Sequence, residues 1–160
     1  MNYCSQVYLL STKFCSSYPN SIYPELMYKQ GRPYTCLLID SHDGYFICVP
    51  FRSSITHKSA FLFKSSVRSR RTKSGLDYSK TVIITDTEYI DSSTPAIVDQ
   101  DEYREMMVNM PRIVSEVNYY LDTYINHIEG RKVIHPRDFK RLYRYSTLKY
   151  FHKELGLSCS

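Results

Sequence analysis

Pro33-Tyr34-Thr35-Cys36-Leu37-Leu38-Ile39-Asp40, Ser41-His42-Asp43-Gly44 and Tyr45-Phe46-Ile47-Cys48-Val49-Pro50-Phe51 decide how this chain is read. Two β-rich runs flank an Asp-Gly turn signal, and Gly31 bounds the first, which predicts an antiparallel hairpin. Downstream, Ala60–Phe63 and Thr81–Thr85 predict two more short strands. Upstream, Tyr3–Leu10 reads as an edge strand, and the Ser-, Pro- and Tyr-rich stretch 16–24 as irregular. Between the later strands, residues 65–75 hold no apolar side chain except Val67 and are dense in Arg, Lys and Ser. Such a segment is expected to be an exposed loop, because it has little of its own to bury.

After Asp99 the period changes from two to 3.6. Asp99 or Asp101 can cap a helix start, and Met110-Pro111 marks a kink or a fresh start. Beyond Pro111, Ile113, Val114, Val117, Leu121, Tyr124, Ile125 and Ile128 share one helical stripe, opposite Ser115, Asp122, Asn126 and Glu129, and Gly130 ends it. That stripe is a core-facing surface. Pro136 suits the first turn of a last helix, with Phe139, Leu142, Tyr143, Ser146 and Tyr150 on one face and Arg137, Lys140, Arg141 and Arg144 on the other. Leu148 and Phe151 break the separation, so the helix becomes buried all round or stops near there. Strands first and helices last predict a single α+β domain over 1–160. Its core is a compact, strongly bent antiparallel sheet or barrel packed with helices.

The chain has 160 residues, 42% hydrophobic and 23% charged, which fits one globular domain and excludes a disordered or collagen-like chain. Its apolar runs are a handful of residues long, too short to span a bilayer. No signal-peptide pattern and no N-x-[ST] sequon occur. Five cysteines, an odd number without a C-x-x-C pair, point to reduced thiols in a cytoplasm and away from zinc.

The net charge of +5 is unevenly spread. Residues 64–85 carry six basic side chains against Asp77 alone, 86–130 carry ten acidic against two basic, and 131–160 carry eight basic against two acidic. Two basic blocks around an acidic one suit a polyanion on part of the surface, and a solvated face of no consequence is the plain alternative. Neither G-x-x-x-x-G-K-[ST] nor G-x-G-x-x-G is present, and H-E-x-x-H and G-x-S-x-G are also missing. The segment from Tyr45 to Ser74 contains no carboxylate to hold a pair of metal ions.

That segment instead places Arg52, Ser53, Ser54, His57 and Lys58 just past a strand. Arginine and lysine can hold a phosphate and its developing charge, histidine can move a proton, and hydroxyls can donate. This is the inventory for cleaving RNA without a metal: one group deprotonates the ribose 2′-hydroxyl and another protonates the departing 5′-oxygen. Taken singly, these residue types are as well explained as turn formers, surface ion pairs and a loop histidine.

Four blocks then carry a resemblance. Gly31-Arg32-Pro33-Tyr34, Tyr45-Phe46-Ile47-Cys48-Val49-Pro50-Phe51-Arg52-Ser53, His57-Lys58-x-Ala60-Phe61 and Ser74-Gly75-Leu76-Asp77-Tyr78-Ser79-Lys80 resemble the toxins of type III toxin–antitoxin systems. Within that ToxN/AbiQ superfamily they are most similar to the TenpN and CptN branches. The resemblance covers roughly residues 1–130 in element order.

It implies a sequence-selective, metal-independent endoribonuclease with a Kid/MazF-like sheet, no cofactor and a bacterial cytoplasmic location. Cleavage would leave a 2′,3′-cyclic phosphate on cellular or phage RNA and arrest growth. The implied partner is a pseudoknot RNA antitoxin, which the toxin processes and binds in a closed assembly. By position, the resemblance assigns the active site to Arg52, Ser53, Ser54, His57 and Lys58, with Tyr28, Arg32, Tyr78 and Lys80. Where the ToxN type follows Thr-Ser closely by Lys, this chain has Ile55 and brings its cation later, so general base and general acid stay open. Lys64, Arg68, Arg70, Arg71 and Lys73, with Arg137, Lys140, Arg141 and Arg144, would grip RNA, and Tyr18, Tyr23 and Tyr28 would stack unpaired bases. Two other readings stand beside it: a non-catalytic RNA-binding module, and a DNA- or protein-binding domain led by the C-terminal basic helix.

Overall fold

The computed structural model describes residues 5–28 and 34–157. β1 (Ser5–Leu10) lies beside the expected hairpin, whose arms are β2 (Thr35–Asp40) and β3 (Phe46–Arg52). The arms pair antiparallel from Cys36↔Pro50 to Asp40↔Phe46. At their tip, the Ser41 amide donates to the Tyr45 carbonyl at 3.2 Å, and the His42 amide donates to the Asp40 carboxylate at 2.8 Å. Gly44 takes φ +90° there, a conformation that suits a residue without Cβ.

β4 (Ala60–Leu62), β5 (Gly75–Asp77), β6 (Val82–Ile84) and β7 (Ile90–Asp91) complete a seven-stranded antiparallel sheet in the order β4-β5-β3-β2-β1-β7. β6 pairs β3 off this path. Along its second edge β3 pairs β6 over Phe46–Cys48 and β5 over Phe51–Arg52. Pro50, which has no N–H to offer, sits in the gap where the neighbour changes. Among the described residues the sheet stays open and does not close into a barrel, so of the two expected forms only the sheet is found there. Gly75 is required by β4: a Cβ there would run into the Phe61 carbonyl.

Residues 65–75 are largely exposed, as expected, but are helical rather than a loop. They form α2 (Val67–Thr72), after the short α1 (Thr12–Ser17), and then lead into β5. The Ser66 hydroxyl accepts from the Ser69 amide at 2.8 Å, and the Ser69 hydroxyl accepts from the Ser66 amide at 3.2 Å, a reciprocal cap. What holds the buried Ser66 and Ser74 of this otherwise largely exposed segment is a carboxylate from elsewhere. Glu102 is itself buried in α3 (Gln100–Val108) and accepts from the hydroxyls of Ser66 at 2.7 Å and Ser74 at 2.9 Å. One turn on, Glu105 accepts from the amides of Lys64 and Ser65.

Asp99 caps α3, accepting from the amides of Asp101 and Glu102. Pro111 makes a fresh start rather than a kink: α3 ends at Val108, and α4 (Met110–Ile128) begins with the proline in its first turn. Ile113, Val117, Leu121 and Tyr124 of the expected stripe are buried in the core with Leu37, Val49, Ile83 and Leu148. Each aliphatic side chain so placed contributes about 1.5–3 kcal/mol. α5 (Pro136–Tyr143) follows, locked to α4 because the Tyr143 hydroxyl donates to the Tyr120 carbonyl at 2.8 Å. It stops at Tyr143, and Ser146 caps a separate 3-10 turn at Thr147–Tyr150 that buries Leu148, just ahead of a fully buried Phe151.

That turn reaches back to the N-terminal part of the chain. Glu25 accepts from the Tyr150 hydroxyl and pairs with Lys149 at 3.2 Å, while Tyr23 meets the Tyr150 ring edge-on. Among the described residues, no helix is long and apolar enough to cross a membrane.

Candidate active site at the end of strand β3

Past Arg52 the chain is pinned to the C-terminal end of α2. The Ser54 amide donates to the Thr72 carbonyl at 2.5 Å and the Ile55 amide to the Lys73 carbonyl at 3.2 Å, while Ile55 plugs into the interior. Ser53 and Ser54 are therefore presented outward on a fixed bend, with Ser54 at φ +57°. They line an open cleft of about 590 Å³ with Tyr28, Arg52 and Arg68. Arg68 reaches it from α2, its guanidinium 3.5 Å from both the Arg52 carbonyl and the Glu102 carboxylate.

Arg52 of the cleft also reaches a buried carboxylate, 3% exposed at its side chain, on which three side chains converge. Asp77 accepts from Ser79, hydroxyl at 2.6 Å and amide at 3.0 Å, faces His57 Nε2 at 3.1 Å and holds the Arg52 guanidinium at 3.8 Å. On its other side the His57 ring accepts the Ser59 amide at Nδ1, 3.1 Å away. This pattern assigns the ring proton to Nε2, facing Asp77, and leaves the Nδ1 lone pair held by one backbone amide.

Burial works against the Asp77 charge. The hydrogen bonds from His57 and Ser79, with the Arg52 charge, outweigh it and hold the carboxyl below its ordinary value of 3.8. Because the folded-state value is the lower one, ionised Asp77 contributes stability that is complete above about pH 4 and is lost as pH falls through the depressed value. The urea midpoint is expected to drop with acidification below pH 4, and the Asp77→Asn protein should show a shallower drop over the same range. Parallel acid profiles for the two proteins would refute this coupling.

Of the residues expected in one site, the structure brings Arg52, Ser53, Ser54 and Tyr28 to the cleft, whereas His57 does not line it and is linked to it through Asp77 and Arg52. Three expectations need correction. Lys80 is buried, its Nζ donates to the Tyr145 carbonyl at 2.6 Å, and burial lowers its pKa. Tyr78 is buried too and donates to Glu116 at 2.8 Å, with its phenol pushed well up by burial. Lys58 lines a different groove, against α4 and α5. The 3-10 turn that follows β5 turns Tyr78 and Lys80 away from Asp77. Tyr28 contributes its ring, because its hydroxyl is used on the Cys15 and Tyr18 carbonyls. Arg32 lies outside the described residues.

The basic residues also divide. Lys64, Arg70, Arg71 and Lys73 are exposed around α2, and Arg68 alone of that block lines the cleft. Arg137, Lys140, Arg141 and Arg144 are exposed on α5, with Arg141 near Asp138 at 3.6 Å and Arg144 over the Tyr145 ring. Tyr18 and Tyr23 are not free platforms: Tyr18 stacks on Phe14 at 4.9 Å and Tyr23 packs on Tyr18 and Tyr150.

Sequence reasoning passed over Asp77 and Glu102 as site residues. For Asp77 a signal existed, as the one carboxylate among six cations in residues 64–85. No family model, no curated protein and no solved structure matches the chain.

Proposed function

We propose that the protein is a metal-independent endoribonuclease, the toxin of a type III toxin–antitoxin system, with a sheet of Kid/MazF kind. The observation that carries this reading is the Arg52–Asp77–His57 array, whose Arg52 lines the same cleft as the exposed Ser53 and Ser54 and as Arg68. Arg52 and Arg68 supply positive charge for a phosphate, and the serines supply hydroxyl donors. Asp77 fixes the His57 tautomer, so that Nδ1, on exchanging the Ser59 amide for a ribose 2′-hydroxyl, is the base. The 2′-oxygen, its proton passed to Nδ1, then attacks the phosphorus. The bond to the 5′-oxygen breaks as that oxygen takes a proton from water, and a 2′,3′-cyclic phosphate and a 5′-hydroxyl result while His57 returns its proton to solvent. The exposed cations around α2 and on α5 suit the backbone of a pseudoknot antitoxin RNA.

Incubation of the purified protein with cellular RNA in EDTA is the direct test. Cleavage should persist and leave cyclic phosphate ends. An absolute Mg²⁺ requirement, or 5′-phosphates on the downstream products, would sink the mechanism. Gel shifts without any shortening of the RNA would favour a non-catalytic RNA-binding module.

A further inference from the structure

A second concavity is lined by chain neighbours of the Asp77–His57 pair. It holds about 630 Å³ between the β4–β5 side of the sheet and helices α4 and α5. Its lining joins the candidate active site through the chain itself. Lys58 and Ser59 follow His57, and Tyr78 follows Asp77, so each residue of the pair has a neighbour in the groove.

The groove's chemistry is specific. Tyr119 is 75% exposed on its rim, although it stands in the middle of α4, where a core helix has no packing use for it. Lys58 is exposed nearby and has no carboxylate within 4.0 Å among the described residues. On the floor, Glu116 accepts from the Tyr78 hydroxyl at 2.8 Å and from Arg112 Nε at 2.9 Å, which leaves a fixed carboxylate edge between donors. An aromatic face, an unpaired cation and a fixed polar edge match the three parts of a nucleotide: base plane, phosphate and base edge.

We infer that this groove is a subsite for one unpaired nucleotide of RNA flanking the scissile bond, its base stacked on Tyr119 and its phosphate on Lys58. The inference rests on the endoribonuclease reading. It moves Lys58 from the chemistry to substrate selection.

The test uses a short single-stranded RNA made uncleavable by 2′-O-methylation, with its affinity measured by fluorescence anisotropy. Tyr119→Ala should weaken binding about 5- to 150-fold, the range for loss of one base–aromatic stack. Tyr119→Trp should restore it, and Lys58→Ala should weaken binding and flatten its salt dependence. Since Tyr119 is exposed, its replacement leaves the fold intact. Unchanged affinity in both alanine variants would overturn the inference. The cleavage arm uses unmodified RNA with the cut sites mapped: Tyr119→Ala should raise KM and relax base preference at one flanking position, with kcat little changed. A wild-type protein that binds but never cuts would remove the endoribonuclease reading, while the anisotropy arm would still decide the groove.

Discussion

Changing His57 to alanine is expected to lower RNA cleavage about 10²–10⁴-fold, the usual worth of a positioned proton carrier. RNA affinity should change little, because Arg52, Arg68 and the basic residues around α2 and on α5 remain. The partially exposed ring, 40% open at its side chain, can be removed without a large cavity. Asp77→Asn should give a smaller loss: an amide still accepts from Ser79 but no longer holds the Nε2–H tautomer with a charge. Single-turnover rates on one defined RNA, with binding measured separately, distinguish the two steps. Full activity in His57→Ala would move the proton transfer to another group, and equal losses of binding and rate would mean that the ring only shapes the cleft.

The second large effect concerns stability. Glu102→Ala removes the acceptor shared by the Ser66 and Ser74 hydroxyls and the nearby charge that faces Arg68. Both hydroxyls are in fully buried residues, and stranded donors of this kind carry their desolvation cost into the folded state. A loss of about 3 kcal/mol is expected, which for a domain of this size lowers Tm by roughly 6–12 °C. Glu102→Gln keeps one acceptor and should lose less. Thermal denaturation followed by circular dichroism measures both, and a shift under about 2 °C for the alanine protein would show that the serines find other partners.

The same contact explains why residues 65–75 misled the sequence reading. Their composition is that of a solvated loop, and no local pattern signals that a carboxylate 36 positions away will take up the Ser66 hydroxyl. By contrast, the β2–β3 hairpin and α4 were legible because their signals are local: an Asp-Gly turn between two β-rich runs, and a stripe at helical period. The candidate site was legible in the same proportion. Arg52, Ser53 and Ser54 follow a strand directly, so adjacency along the chain became adjacency in space. Tyr78 and Lys80 belong to the same quoted block as Asp77, yet sequence proximity could not tell which of them would meet Arg52 and His57. The β5-to-turn geometry set Asp77 against both and buried Lys80 against Tyr145.

The clasp between Glu25 and Tyr150 joins residues 125 positions apart. A chain leaving the ribosome at about 5–20 residues per second needs about 6–25 s between the two partners. Tyr28, one wall of the cleft, follows the waiting half of that clasp by three residues. Tyr28 is fixed by its own neighbours, the Cys15 and Tyr18 carbonyls, and Arg52 and Arg68 have left the ribosome before Tyr150 is there to take Glu25. This late-closing contact thus lies outside the cleft, whose lining residues all fall within 26–102 and are made before the N-terminal part can be fastened to the C-terminal turn.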